Sequence, residues 1–520
     1  MKTFVRLLTL LLALLMLAMT VVACDDGTTS DDDIDRTAEE DEYLRERDDL
    51  DQYNLNYTGE KIKVLGWDAG EYEEFDVKQI TADNVLMAVY DRNQEIERRL
   101  NIDLEFTEIP YGSMLATVLN DKNSGLKAYD LIASYSRAEA SIAMRGCLAD
   151  ITEIEESYIN LEKPWWPENM IEKMSIGDNM YFFSGDISPN VLSEMQVLYF
   201  NKDLMSEYWD AYAQQQGVVP EKDSKGQNVV SPGAQMVYNM AYDGTWDLDE
   251  LIKMTMGPDN KGIGDISQGT VPNGKDLEDS YGFVSIGYCL SFFYSGCNLN
   301  LVERADNEDK LKISEDFGSI RTVKLVQKLG NWYKENTVGI SFSSTDYRTI
   351  MMGGRTLFTA VRARHAGNEY KDLSIGILPC PKFDETQANY YTAIGNPFTI
   401  YGIYNGLDDR GDKAATYSML SAVIECWASE SYRLVTPQIF EVNMQLKYAE
   451  TQCETDMYEI VRSSITFDLG RIFGPEMYGM DNMPSNAAKA GTSWVSTYAA
   501  YKTPLAKKLQ VIIDSIEGGQ

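Results

Sequence analysis

The chain has 520 residues, 44% hydrophobic and 11% aromatic, with a formal net charge of −35. That length exceeds one ordinary core, so two domains are expected. So acidic a surface repels nucleic acid and anionic headgroups, which excludes nucleic-acid binding and a basic membrane-binding patch. The one histidine, His365, excludes His-rich metal sites and leaves any Ser-His-Asp hydrolase dependent on it. No G-x-S-x-G, H-E-x-x-H or phosphate-binding glycine loop occurs. The seven cysteines include no C-x-x-C pair, so no zinc site is expected, and the six beyond Cys24 read as small buried apolar groups. No cofactor is implied.

In chain order, Lys2 and Arg6 precede an apolar run from Leu7 to Ala23. A basic start and a Leu-rich core predict a secretory signal over 1–23. The run ends Val21-Val22-Ala23-Cys24, which resembles the lipobox of bacterial lipoproteins. That resemblance implies a lipidated Cys24 as the new N-terminus, carrying fatty acyl chains such as palmitate. The competing reading is a transmembrane anchor, for which a run of about 17 residues is at the short limit. Fourteen acidic and three basic residues follow between Asp25 and Gln52. Such a segment cannot bury enough surface to offset its ordering entropy, so 24–56 is expected to be a flexible acidic tether.

The folded part is expected from about Tyr57. Lys61–Trp67 alternates polar and apolar residues and predicts a strand. Asp83–Leu100 places Val85, Val89, Ile96 and Leu100 on one helical face, with Asp83 as N-cap and Asn101 as C-cap. Ile102–Phe106, a helix near 113–123 and Tyr129–Ala133 complete a strand-helix-strand-helix-strand unit, which predicts a parallel α/β sheet. Met180–Phe183 and Val197–Phe200 read as strands around Gly185–Pro189, a crossover between lobes. Gln214–Ser231 and Gly257–Asp279 read as loops, Thr245–Leu251 as a helix start and Glu315–Lys334 as a helix. Leu357–Val361 and Leu373–Pro379 predict strands, and Thr416–Ser429 an apolar helix.

Four stretches carry a resemblance. Arg145-Gly146-Cys147-Leu148-Ala149-Asp150-Ile151-Thr152 matches Gly-x-Leu-x-Asp-Leu-Thr. Gly177-Asp178-Asn179-Met180-Tyr181, then Leu198-Tyr199-Phe200-Asn201-Lys202-Asp203-Leu204, matches Asp-Gly-Lys-x-Tyr followed by Tyr-Tyr-Asn-Lys-Asp-Leu. Thr245–Leu251 matches Thr-Trp-Asp-Glu-Leu, and Ile375–Lys382 matches Gly-x-x-Pro-x-Pro. Together with the lipobox they resemble the extracellular solute-binding proteins of ABC importers, the group that includes maltose-binding protein. The resemblance covers about 57–440. It implies a two-lobed α/β periplasmic-binding-protein-like fold with a hinge and a central ligand cleft. Lobe one would be 57–187 plus 380–440, and lobe two 188–379 plus 441–520. It further implies a monomer, lipid-anchored on the extracytoplasmic face, that captures a solute and delivers it to an ABC permease. Where the family has small residues and often Trp, this chain has Arg362-Ala363-Arg364-His365, a cationic rim that leaves room for an acidic sugar.

Ligands of parallel sheets bind outside the carboxyl ends of strands. That rule nominates Trp67 and Asp68, and Tyr135 and Arg137. An aromatic face stacks on sugar C–H groups, a carboxylate accepts hydroxyl hydrogen bonds, and a guanidinium fork suits vicinal hydroxyls. Asp186 at the crossover, Tyr294, Arg362 with Arg364, and Asn396 complete the ligand-binding candidates, with Trp165-Trp166 as a further stacking platform. Each has a plain alternative as core or solvated surface. An oligosaccharide is the expected ligand. A membrane-anchored glycoside hydrolase, or a receptor feeding a sensor kinase, are the alternatives.

Overall fold

The computed structural model describes residues 46–68, 74–78, 81, 83–167, 170–263, 277–305, 310–340, 342–368, 370, 372–439 and 451–518. The leader expected over 1–23, Cys24, the acidic stretch to Arg45 and much of the loop predicted over 257–279 lie outside them. The chain divides into two units, Met1–Glu46 and Arg47–Gln520, and both main sheets belong to the second. Among the described residues no helix is long and apolar enough to cross a membrane.

The first sheet is built as the alternation predicts. Strands β1 (Glu60–Asp68), β2 (Ile102–Pro110) and β3 (Leu131–Tyr135) are parallel, with β1 between the other two. Helix α1 (Asn84–Leu100) joins β1 to β2. Asp83 caps it by accepting from the amides of Val85 and Leu86 at 2.9 and 3.0 Å, and Asn101 ends it in the left-handed region at φ 51°. Helix α2 (Met114–Ser124) joins β2 to β3, and α3 (Ser136–Ala143) leaves β3 directly. A late strand, β9 (Thr399–Ile403), lies antiparallel on β3, giving the order β9-β3-β1-β2.

The second sheet is formed by β4 (Gln196–Asn201), β5 (Tyr281–Ser285), β6 (Val338–Gly339), β7 (Thr356–Arg362) and β8 (Ile375–Leu378), in the order β8-β4-β7-β5-β6. β5, β6 and β7 are parallel, while β4 is antiparallel to both its neighbours. Every residue of these five strands is buried. Burial on both faces explains why they read as continuous apolar runs rather than alternating ones.

The chain passes from the first sheet to the second through 184–195 and returns through 394–399. The two passes are bonded to each other. Phe183 and Tyr401 exchange backbone hydrogen bonds of 2.9 Å in both directions, and the Gly395 amide donates to the Glu194 carbonyl at 2.7 Å. Asn190 clasps the return pass: its Oδ1 accepts from the Thr399 amide at 3.2 Å and its Nδ2 donates to the Pro397 carbonyl at 3.4 Å. At Gly185, φ is 149° and a Cβ would strike the Trp165 carbonyl, so only glycine fits.

Three expectations are corrected by the structure. The return to the first sheet comes near 394, not 380. Residues 380–393 stay on the second sheet because the Lys382 amide donates to the Trp246 carbonyl and Gln387 Nε2 donates to the Gly296 carbonyl. Met180–Phe183 is no regular strand; of it only Phe183 pairs, with Tyr401. Packed structure is already present at Asp48 and Leu50, ahead of the expected start near Tyr57. Asp48 and Leu50 are 5% and 4% exposed. Asp48 pairs with Arg99 of α1 at 2.6 Å, and Arg99 also reaches Glu430 at 2.8 Å, at the end of α4 (Lys413–Glu430). The acidic composition hides this, because the cation that pins the strap lies far along the chain.

One buried acid has no such partner. Glu139 of α3 is fully buried, and neither of its oxygens has a hydrogen-bond partner among the described residues. Burial raises its pKa well above the usual carboxylate range.

Two outcomes are expected. Removing one member of a buried ion pair strands the other, so Asp48→Ala should lower the urea-unfolding free energy by about 3 kcal/mol. For Glu139, the folded pKa lies above the unfolded one, so its stabilising protonation is complete below about pH 4.5 and is lost as pH rises from there. The stability of Glu139→Gln relative to the natural protein should therefore climb with pH, by at most about 1.4 kcal/mol per unit. Denaturant titrations of both proteins from about pH 4 to about pH 8 check this; a flat difference would contradict it.

Candidate functional site

The parallel strands β1, β2 and β3 end side by side at Asp68, Pro110 and Tyr135. Three aromatic rings gather there. Trp67 lies 5.6 Å from Tyr135 and 6.5 Å from Tyr111, and Tyr111 lies 5.1 Å from Tyr135, between ring centroids. The Trp67 indole is fixed from behind: its Nε1 donates to Thr399 Oγ1 at 2.8 Å. Tyr111 is 56% exposed and so offers its ring to solvent. Asp68 is exposed at the end of β1.

The second sheet contributes cations. In the register of β4 and β7, Arg362 stands opposite Gln196. Its guanidinium carbon sits 4.9 Å from the Tyr288 ring centroid, and Tyr288 is 45% exposed. Glu194, fully buried, faces both arginines of this strand end. Its carboxylate lies 3.0 Å from Arg362 Nε and 3.3 Å from Arg364 Nε. A side chain on Gly395 would collide with Glu194 Oε2 and with Arg362 Nε, so the return pass leaves room for this pair only as glycine.

A third element closes the group. After α5 (Leu469–Ile472) the chain turns back, and Asp481 pairs with Arg137 of α3 at 2.7 Å. Glu476 accepts from Ser141 Oγ at 3.0 Å in the same contact. Arg471 donates to Ser291 Oγ at 3.3 Å and to the Ile394 carbonyl at 3.1 Å. Burial lowers its pKa, and Asp481 opposes that shift. Beside Arg471, a polar hollow of about 200 Å³ is lined by Lys173, Asn300, Thr466 and Asp468 among others.

The electrostatics join these parts. Burial raises the pKa of the Tyr135 hydroxyl, Arg137 and Arg362 oppose the rise, and Tyr111 and Glu194 add to it. The Tyr135 hydroxyl thus stands among groups from both sheets. His365 takes no part as a cation: burial first, then Arg364, holds its pKa down to about 3.

Of the residues nominated from sequence, Trp67, Asp68, Tyr135, Arg137 and Arg362 belong to this grouping. Asn396 lies next to it, half-buried, its carbonyl accepting from Ser136 Oγ at 2.7 Å. Four are placed elsewhere. Asp186 accepts from Thr436 Oγ1 at 2.7 Å and lies 3.9 Å from Arg462, and burial raises its pKa to about 7. Tyr294 is 3% exposed, its hydroxyl donating to the Asn300 carbonyl and its ring packed on Phe317, so it offers no face to a ligand. Trp165 and Trp166 are core, the latter donating Nε1 to Glu425. The cationic rim is corrected as well, since Arg362 and Arg364 share Glu194 and Arg137 has Asp481.

Sequence reasoning missed Tyr111, Tyr288, Glu194 and Asp481. Tyr111 directly follows the last residue of β2, so the strand-end rule would have found it. Asp481 carries no local signal.

No protein-family model matches the chain, and no curated protein matches it in sequence. Solved structures match it in fold. A cyclo/maltodextrin-binding protein complexed with maltotetraose aligns at a TM-score of 0.50 and 12% identity, over 88% of this chain and 97% of that one. UspC of M. tuberculosis aligns at 0.49 and 11% identity, over 86% and 100% of the two chains. The GacH receptor of Streptomyces glaucescens, solved unliganded and with acarbose, aligns at 0.47 and 13%, over 87% and 99%. The chain has the α/β fold of periplasmic solute-binding proteins. At this identity, the likeness to cyclo/maltodextrin-binding protein is one of fold.

Proposed function

We propose that the chain is an extracytoplasmic receptor that captures an oligosaccharide between its two sheets and hands it to an ABC permease. The observation that supports this best is the cluster of Trp67, Tyr111 and Tyr135 at three adjacent strand ends, with two rings partly open to solvent. Aromatic faces suit the C–H faces of sugar rings, and Arg137, Arg362 and Asp68 supply donors and acceptors for hydroxyls. The maltotetraose bound by the cyclo/maltodextrin-binding protein fits the same ligand class.

The lobes of this reading are the first sheet with 47–187 and 396–439, and the second sheet with 190–394 and 451–518. The passes at 184–195 and 394–399 form the hinge. Ligand binding selects the closed arrangement, with no covalent step. A lipid on Cys24 moors the receptor outside the membrane and raises its effective concentration at the permease.

Purified protein screened against a glycan library should gain thermal stability with at least one oligosaccharide. Saturation at about a hundred times Kd corresponds to about 2.7 kcal/mol. Tyr111→Ala and Tyr135→Ala should each weaken that ligand by at least about tenfold, the loss of a stacking contact plus buried ring area. No shift with any sugar would sink the carbohydrate reading. Separately, Cys24→Ala should appear as intact, ligand-competent protein in the soluble fraction; retention on membranes at high salt would mean that the apolar N-terminal segment is itself the anchor.

A further inference from the structure

The cleft holds more charge than an uncharged ligand needs, and the charges are matched. Arg137, Arg362, Arg364 and Arg471 stand with Glu194, Asp481 and Asp468. The carboxylates that do the matching are the most deeply placed. Glu194 is 0% exposed and Asp481 2%, whereas the side chains of Arg137 and Arg364 are 22% and 23% exposed. At Arg137 and Arg364 a partly exposed cation is backed by a buried anion, while Arg362 is buried with Glu194.

We propose that Glu194 is a specificity-determining residue that closes the cleft to anionic solutes, by satisfying Arg362 and Arg364 from behind, with Asp481 doing the same for Arg137. The inference rests on the receptor reading above and names the ligand class that reading would reject. A solute carboxylate entering beside Tyr135 would meet guanidiniums already paired, and would lie close to Glu194 itself. Its desolvation would then go uncompensated. Neutral hydroxyls face no such penalty, because they carry no charge whose desolvation must be compensated. The geometry also separates this role from simple packing. Glu194 uses its carbonyl to hold Gly395 and so join the two passes, while its carboxylate contacts the arginines. A change of the carboxylate to an amide leaves the first bond in place.

The test compares the natural protein with Glu194→Gln and Asp481→Asn, using maltotetraose as the neutral probe and a tetragalacturonate as the anionic one. Circular dichroism and melting curves confirm that each variant folds. The natural protein should bind the neutral probe and exclude the anionic one. Glu194→Gln should raise the affinity for the uronate relative to that for the neutral sugar by at least about tenfold, the scale of one buried ion pair released. Asp481→Asn should move in the same direction, and it carries the test if Glu194→Gln does not fold. A parallel loss for both probes would mean that Glu194 is merely structural, and uronate binding by the natural protein as tight as that of the neutral sugar would overturn the proposal outright.

A second readout needs no sugar. Iodide and acrylamide quench the fluorescence assigned to Trp67 by difference from Trp67→Phe. Iodide quenching should rise at least about twofold in Glu194→Gln while acrylamide quenching stays level, a local potential change of the kind a lost buried charge produces. If neither sugar binds but iodide quenching rises, the receptor reading fails and the role of Glu194 stands. If iodide quenching does not change, the role of Glu194 falls whatever the sugars do.

Discussion

The structure depends on a short stretch of backbone where the two passes between the sheets are hydrogen-bonded to one another. Phe183 with Tyr401, and Glu194 with Gly395, make this a paired crossing rather than two independent linkers. Asn190 adds a side-chain clasp from the outward pass to Pro397 and Thr399 of the return. The residues of the candidate site are referenced to the same crossing. Trp67 takes its orientation from Thr399, Arg362 from Glu194, and Ser136 from Asn396. A rotation about this crossing would therefore carry the two sheets as bodies while keeping these groups close to the axis.

The protein buries charge at several places in the fold. The chain carries −35 overall, yet it sets arginines deep in the structure: Arg92 stacks on Trp427, Arg99 grips the strap, and Arg471 lies between Ser291 and Ile394. Buried ion pairs gain little net stability over apolar groups of the same shape, because desolvation offsets their attraction. Their physical effect is discrimination, since wrong registers leave charges unpaired. Glu139 stands apart from them, an acid buried without a hydrogen-bond partner among the described residues.

Much of the fold was legible in the sequence. The caps Asp83 and Asn101 placed α1 to within a residue, because capping is a local hydrogen-bonding rule. Alternation placed β1, β2 and β3, and with them Trp67 and Tyr135, because the strand-end rule needs only strand limits. What failed was information carried by distant pairing. Tyr294 looked like a stacking residue because an aromatic run reads alike in core and cleft; only its contacts with Asn300 and Phe317 separate the two. Asp48 looked like tether because composition cannot register that Arg99 and Glu430 wait for it across the fold. Arg362 and Arg364 looked like a free cationic rim because their counter-ion lies on a different strand end.

Gly395 gives one of these features a wider consequence. Its missing side chain is what lets a carboxylate and a guanidinium meet against the backbone of the return pass. Any larger residue there would have to evict one of the two ions or bend the pass. The position thus couples main-chain path to electrostatic balance through a residue that itself carries no charge and no side chain. Lineages that tolerate substitution at this site should be those that have first lost the ion pair beside it.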